Sequence, residues 1–550
     1  MERKLACCVV AAAIGAVLLV AAAAATPDKS VASKGQAKKG GTYVVTRDED
    51  FDFVDPSLDY MTAGWELQYA LACKLYNYPD KEAPAGSQLE PEVAAGLPVV
   101  SNGGKTYTMK LRSGYRFSDG TKVTAASFVD AFNRAANPKL VSPAVGFIDV
   151  VQGVGAVVDG KAQKISGVTA TTPMSLRITL TRPAPDLLAR LAMPFFQAIP
   201  KSLAANADPN GAEVFSSCGP YYVAAHTRDK SITVKRNPFY KGARPSNVDV
   251  IQFNIGSSLE VAQQDVESGR ADLAGTGVPP TSYATLAAKY GVNKGRLFVK
   301  PELAVSYLAM NHDRPLFKNN PQLAKAVNWA IDRRALLGQG GFLAGKRSDQ
   351  ILPPGLESGK DEAIYPLEVT ARTAAKAKAL AAGHTGDGKA VLWTSNRPAS
   401  LLQAQIMQYN LKQIGLDVSV QAFSRGVQIE KTGTRGAEFD LTPESWGADY
   451  ADPYDFINIL LSGDTIASSN NQNVAYFNSP KYNRQMREAS SLRGNARTAA
   501  YHKLDMDITR NDPAWAVRAN SNARIFVSAR TDCFTYQPVY LFDYAAVCLR

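Results

Sequence analysis

Residues 105–128 read KTYTMKLRSGYRFSDGTKVTAASF, and the fold class turns on this stretch. Positions 107–112 alternate apolar and polar side chains, the period of a strand with one buried face. Ser118, Asp119, Gly120 and Thr121 make a turn, because aspartate bonds its own backbone two residues on and glycine tolerates positive φ. Residues 124–134 then carry apolar side chains at helical spacing, with Thr124 as the N-cap. A strand, a turn and a helix therefore follow one another within a short run.

The same alternation continues outward. Upstream, 41–46 (GTYVVT) is a β-branched strand and 64–76 a helix. Downstream, strands are expected at 175–180, 218–223, 231–236, 248–255, 307–311, 391–395, 416–422 and 438–442. Helices are expected at 185–192, 258–268, 323–338, 399–414, 482–492 and 498–510. Gly269 stands at a helix end, where a left-handed cap is wanted. Strands interleaved with helices mean α/β lobes rather than a bundle or a sandwich. No fixed-period repeat is present.

The length of 550 residues predicts two to four domains. With 45% hydrophobic, 20% charged and 9% aromatic residues, the mix is globular and excludes a disordered or fibrous chain. Only one apolar run is long enough to consider for a membrane, at the N-terminus, so a multi-span protein is excluded. Arg3 and Lys4 precede an alanine-rich stretch to about Ala25, and Thr26, Pro27, Asp28 follow. That is the pattern of a secretory signal peptide over 1–25, leading into a Gly/Ser/Lys-rich tether over 26–40. A retained membrane anchor is the alternative. Cys7 and Cys8 lie at the start of the apolar run, not after it, which does not fit a lipid anchor. The net charge is +11, but the basic residues are scattered, which argues against a nucleic-acid partner and for a mild bias toward anionic surfaces.

Beyond the leader remain Cys73, Cys218, Cys533 and Cys548. Four cysteines outside the cell suggest two disulfides, and three pairings are possible. A hairpin clip, Cys533 to Cys548, leaves Cys73 and Cys218 as a long-range staple; free buried thiols are the alternative.

Enzyme signatures are missing. There is no nucleophile elbow, no His-Glu-x-x-His, no Cys-x-x-Cys and no Gly-x-Gly-x-x-Gly. Three runs with P-loop glycine–lysine spacing begin at Gly155, Gly340 and Gly383, but Ala162, Arg347 and Ala390 stand where magnesium needs Ser or Thr. His226, His312, His384 and His502 are dispersed, so no metal site and no cofactor are expected. An exported α/β chain without a catalytic cluster is a candidate binding module.

Several blocks together resemble one family over about residues 41–540. These are LEPEVA (89–94), the opening KTYTMKLR and FSDGT blocks, GPYY (219–222) with RNPFY (236–240), and VESGRAD (266–272). LAKAVNWAIDR (323–333) and WGADYADP (446–453) complete the set. They resemble the family-5 solute-binding proteins, the extracellular oligopeptide-, dipeptide- and nickel-binding receptors of bacterial ABC importers. The match has gaps: the acidic residue usual after Thr124–Ala125 is missing, and so is the Arg leading the 323–333 block.

The resemblance implies a two-lobed periplasmic-binding-protein clamp of type II, closing on its guest. Lobe one would hold 41–300 and 516–550, with an extra subdomain near 80–205, and lobe two 301–515. A peptide guest would lie extended and pair its backbone with cleft strands. Ser445, Trp446 and Gly447 would form one edge, and the loop Asp50, Phe51, Asp52 the other. Asp449, beside Tyr450, would meet the guest's α-ammonium. The guest's carboxylate needs a cation, for which Arg397, Arg425 and Arg435 are candidates. Arg112 and Arg134 read as structural. The chain would act as a secreted monomer at the extracellular face of the cell membrane, handing its guest to ABC permease subunits. A sugar, opine or other small solute, a sensor role and a secreted hydrolase are the competing readings.

Overall fold

The alternating segment of the opening block becomes the strand Thr106–Lys110, an inner strand of a four-stranded antiparallel sheet. Its apolar positions, Tyr107 and Met109, face inward. The turn closes as expected: Asp119 Oδ1 accepts from Thr121 N at 2.8 Å, with Gly120 at φ +85°. The helix Ala125–Ala135 follows, and Ser127 stands where the acid is missing; its Oγ accepts from Thr124 N at 3.3 Å. Near the helix end, Arg134 reaches Asp55 with two bonds of 2.6 and 2.7 Å, both side chains buried. The computed structural model describes residues 39–550; the leader and most of the tether lie outside the described residues.

Two large sheets organise the two lobes. The first has five strands. Thr42–Arg47 lies parallel between Val250–Ile255 and Leu273–Ala274, and the hairpin Tyr221–Thr227 with Ser231–Arg236 completes it. Gly219 enters this hairpin where its N–H donates to the carbonyl of Leu71 at 2.8 Å. A Cβ there would sit 2.4 Å from that oxygen, so only glycine fits. Asn237 of the RNPFY block donates to the carbonyls of Ser217 and Gly219, locking the same corner.

The second sheet has seven strands, including Ala304–Met310, Leu441–Gly447, Lys389–Ser395 and Asp417–Phe423. Trp515–Phe526 pairs with Ala304–Met310 along its first part and with Leu297–Pro301 along its second. It then bridges Leu273 through Val527, so it links the two sheets. The chain thus crosses between the sheets along this strand.

Several expectations shift; the helix expected at 64–76, for one, runs over Thr62–Leu71, and the strand expected at 218–223 over Tyr221–Thr227. The helix expected at 323–338 is two helices, Pro321–Ala330 and Arg333–Gly338. Asp332 breaks it by capping the second, its carboxylate accepting from Ala335 N at 2.9 Å. The strand expected at 438–442 runs instead over Leu441–Gly447, because its register is set by pairing with Ala304–Met310. The helix at 185–192 shrinks to Leu187–Arg190. Both disulfides form, Cys73–Cys218 and Cys533–Cys548, each with Cα atoms 5.4 Å apart. The first joins the end of the helix region to the hairpin; the second clips the C-terminal turn-back.

Candidate ligand-binding cleft

Two adjoining cavities of about 230 Å³ each open between the lobes. They share Tyr60 and Thr62 from the N-terminal part of the chain, and Ser445, Trp446, Gly447 and Asp449 from the second sheet. A larger hollow of about 810 Å³, lined by Arg314, Lys389 and Asp417 among others, opens on the lobe of the second sheet alone. The interlobe pair has the geometry of a clamp, with walls from two bodies joined by crossing strands.

The strand Leu441–Gly447 supplies the cleft floor. One of its edges pairs with Ala304–Met310 through to Gly447 opposite Ala304. On its other edge Lys389–Ser395 reaches only Leu441. From Thr442 to Gly447 that second edge has no strand partner among the described residues. It offers backbone donors and acceptors to an extended guest.

Asp449 stands just past this strand, 8% exposed. Its Oδ2 accepts from the Tyr60 hydroxyl at 2.8 Å, a contact spanning 389 residues. Its backbone N donates to Asp455 Oδ2 at 2.9 Å, and Trp446 Nε1 donates to the same oxygen at 3.2 Å. Burial pushes the Asp449 carboxyl up to about 7, while bonds from Tyr60 and Asp455 pull it back. Asp455 goes well above the usual carboxylate range, by burial first and then by the charge of Asp449. The Asp455 carboxyl is thus biased toward its neutral form, with Oδ1 lacking a hydrogen-bond partner. The result is one half-neutralised carboxylate on a dry wall, short of a cation.

A model of the bacterial extracellular solute-binding proteins, family 5, matches residues 88–468. The chain belongs to this family.

Family-5 relatives span most of its length. It is 25% identical over 441 residues to a probable deoxycholate-binding periplasmic protein of Escherichia coli, covering 78% of this chain and 79% of the relative. It is 23% identical over 435 residues to the periplasmic oligopeptide-binding protein of the same species, covering 76% and 78%. Among solved structures, clavulanic acid biosynthesis oligopeptide binding protein 2 superposes with a TM-score of 0.83 at 24% identity, over 93% of this chain and 96% of that one. That likeness shows the two-lobed fold.

Within the family-5 cleft, the expected residues divide. Ser445, Trp446, Gly447 and Asp449 line both cavities. Arg425 lines the second, its guanidinium on Glu444 at 2.7 Å. Tyr450 does not reach the cleft: it is fully buried, its hydroxyl donating to Asp186 at 3.2 Å. Phe51 packs into the first lobe's core, edge-on to Phe253 at 5.4 Å. Asp50 is tied to His226 at 2.9 Å and to Asp229 N at 2.8 Å. Asp52 acts from behind, accepting from Tyr60 N at 3.1 Å. Residues 50–52 thus line neither cavity, whereas Tyr60 and Thr62 line both. Arg397 lines neither cavity; it meets Glu49 at 2.7 Å, both half exposed, a bridge from the helix Pro398–Lys412 to the loop after Thr42–Arg47. Arg435 pairs with Asp313 at 3.1 Å. Asp452 caps the helix Pro453–Leu461 and pairs with Arg497, as its place before a proline suggests. Sequence reading missed Tyr60 and Glu302, since an isolated tyrosine before a helix and a glutamate between two strands carry no motif.

Proposed function

We propose that the chain captures short peptides in this cleft and hands them to the membrane subunits of an ABC importer. The observation that carries the reading is Asp449 at the end of an unpaired strand edge. The strand edge binds backbone without reading side chains, and the carboxylate takes the α-ammonium, gaining its charge as the cation arrives. The cavities fit the reading: each is below the ~300 Å³ at which drug-sized pockets begin, which favours a short guest. In this scheme Arg425 is the cation for the guest's carboxylate, in exchange for Glu444. Lobe one is taken as 41–300 with 516–550, its subdomain at 80–205, and lobe two as 301–515. Residues 1–25 export the chain, which works outside the membrane as a monomer.

Mass spectrometry of the small molecules released on denaturing the purified protein tests this. A ladder of short peptides is expected. A single defined non-peptide molecule, such as a bile acid or a sugar, would replace the peptide reading by a small-solute one.

A further inference from the structure

The cleft and the chain differ in charge. The chain is basic, at +11. The first cavity is acidic: Asp449 and Glu302 line it, and no lysine, arginine or histidine does. The second cavity adds Arg425, but Glu444 cancels it. Two uncancelled carboxyl groups therefore face one residue-sized space.

Glu302 is held firmly. It follows the crossing strand Leu297–Pro301, and its backbone N donates to the carbonyl of Ser521 at 3.0 Å. Among the described residues no Lys or Arg nitrogen lies within 4.0 Å of its carboxylate. The cation that acts on it, Arg524, donates to the carbonyls of Gly340 and Phe342 and stacks on Tyr283 at 3.9 Å. Glu302 also borders a neighbouring cavity, which Arg524 and Glu66 line, so it stands on the wall between the two. Burial lifts Glu302 to about 7, with Arg524 pulling it down. The same cavity is also lined by Leu303, Val539 and Trp446, apolar surface along which the stem of a long cationic side chain can lie.

We propose that Glu302 reads a second cation on the guest: the preferred peptide begins with a basic residue, its α-ammonium on Asp449 and its side-chain ammonium or guanidinium on Glu302. The inference rests on the peptide reading but can be separated from it. Calorimetric titration uses the full chain, Lys-Ala-Ala, the uncharged isostere norleucine-Ala-Ala, and free lysine. The wild-type chain is expected to bind Lys-Ala-Ala roughly 10- to 100-fold tighter than the norleucine peptide, the worth of one charge-assisted bond. Glu302→Gln should bring that ratio close to one, with circular dichroism and thermal unfolding certifying its fold. Equal wild-type affinities would overturn the inference while peptide capture stands. A preference kept by Glu302→Gln would overturn it too, placing the cation elsewhere. Binding of lysine but neither tripeptide, lost in Glu302→Gln, would keep the charge selection and remove the peptide reading. Binding of none of the three removes both. The wild-type ratio needs no variant, so it decides the matter even where the substitution misfolds.

Discussion

Replacing Asp449 by asparagine removes a charge while keeping a side chain that can accept from Tyr60. In the empty cleft the carboxyl titrates at about 7, because burial outweighs the two bonds that favour its ionised form. A guest ammonium brings it back toward or below the ordinary ~3.9 of aspartate. Binding therefore releases a proton whenever the pH is below about 7. Affinity is full above that value and falls as the pH drops through it. Each pH unit is worth ~1.4 kcal/mol, so a peptide with an uncharged first side chain should bind roughly 100-fold more weakly at pH 5 than near pH 7. The ceiling of the window is the α-ammonium itself, with a pKa of roughly 7.7–8.0. Ala-Ala-Ala is the right probe, since it brings no side-chain cation to Glu302. Asp449→Asn should weaken binding by ~1.5–3 kcal/mol at pH 7.5 and flatten the profile from pH 5 to 7. Calorimetry in two buffers of different ionisation enthalpy would count the released proton directly. A wild-type affinity constant across that range, or an asparagine variant with the same slope, would refute the reasoning.

Two further outcomes test the frame around the cleft. Arg134→Met strands the buried Asp55 carboxylate, which keeps only donors such as Ser57 N and Ala212 N. Denaturant unfolding should lose ~3–5 kcal/mol, most of it restored in the double variant Arg134→Met/Asp55→Leu; a loss below ~1 would show that the pair is not structural. Arg397→Gln breaks the half-exposed bridge to Glu49, which joins the helix Pro398–Lys412 to the loop after Thr42–Arg47. Peptide release should quicken by a factor corresponding to less than ~1 kcal/mol at low salt, with no difference from wild type near 1 M, where charges are screened within ~3 Å. Stopped-flow release rates unaffected at low salt would remove the latch.

Much of this protein was legible from residue order. Each such feature depends on neighbours a few positions apart. The alternation at 107–112, the Asp119–Gly120 turn and the Thr124 cap are settled by local backbone bonds, and they appear where the periods put them. The disulfide pairing is one of the three that four cysteines allow, the one in which the close pair Cys533 and Cys548 forms a clip. The ordered blocks placed the chain in its family, and with it Asp449 on the cleft. The break at Asp332 lay at the limit, since an aspartate inside an apolar period reads as surface until it is seen to cap.

What the tertiary structure decided is which groups meet. Tyr60 reaches Asp449 across 389 residues, Arg397 reaches Glu49 across 348, and Glu302 shares a cavity with Asp449. Tertiary packing also turned Tyr450 and Phe51 inward and gave Arg425 to Glu444. A chain's order sets its periods and caps, because those are short-range bonds. The charge state and reach of a cleft residue depend on what burial removes from water and on what faces it, and both are properties of two lobes brought together.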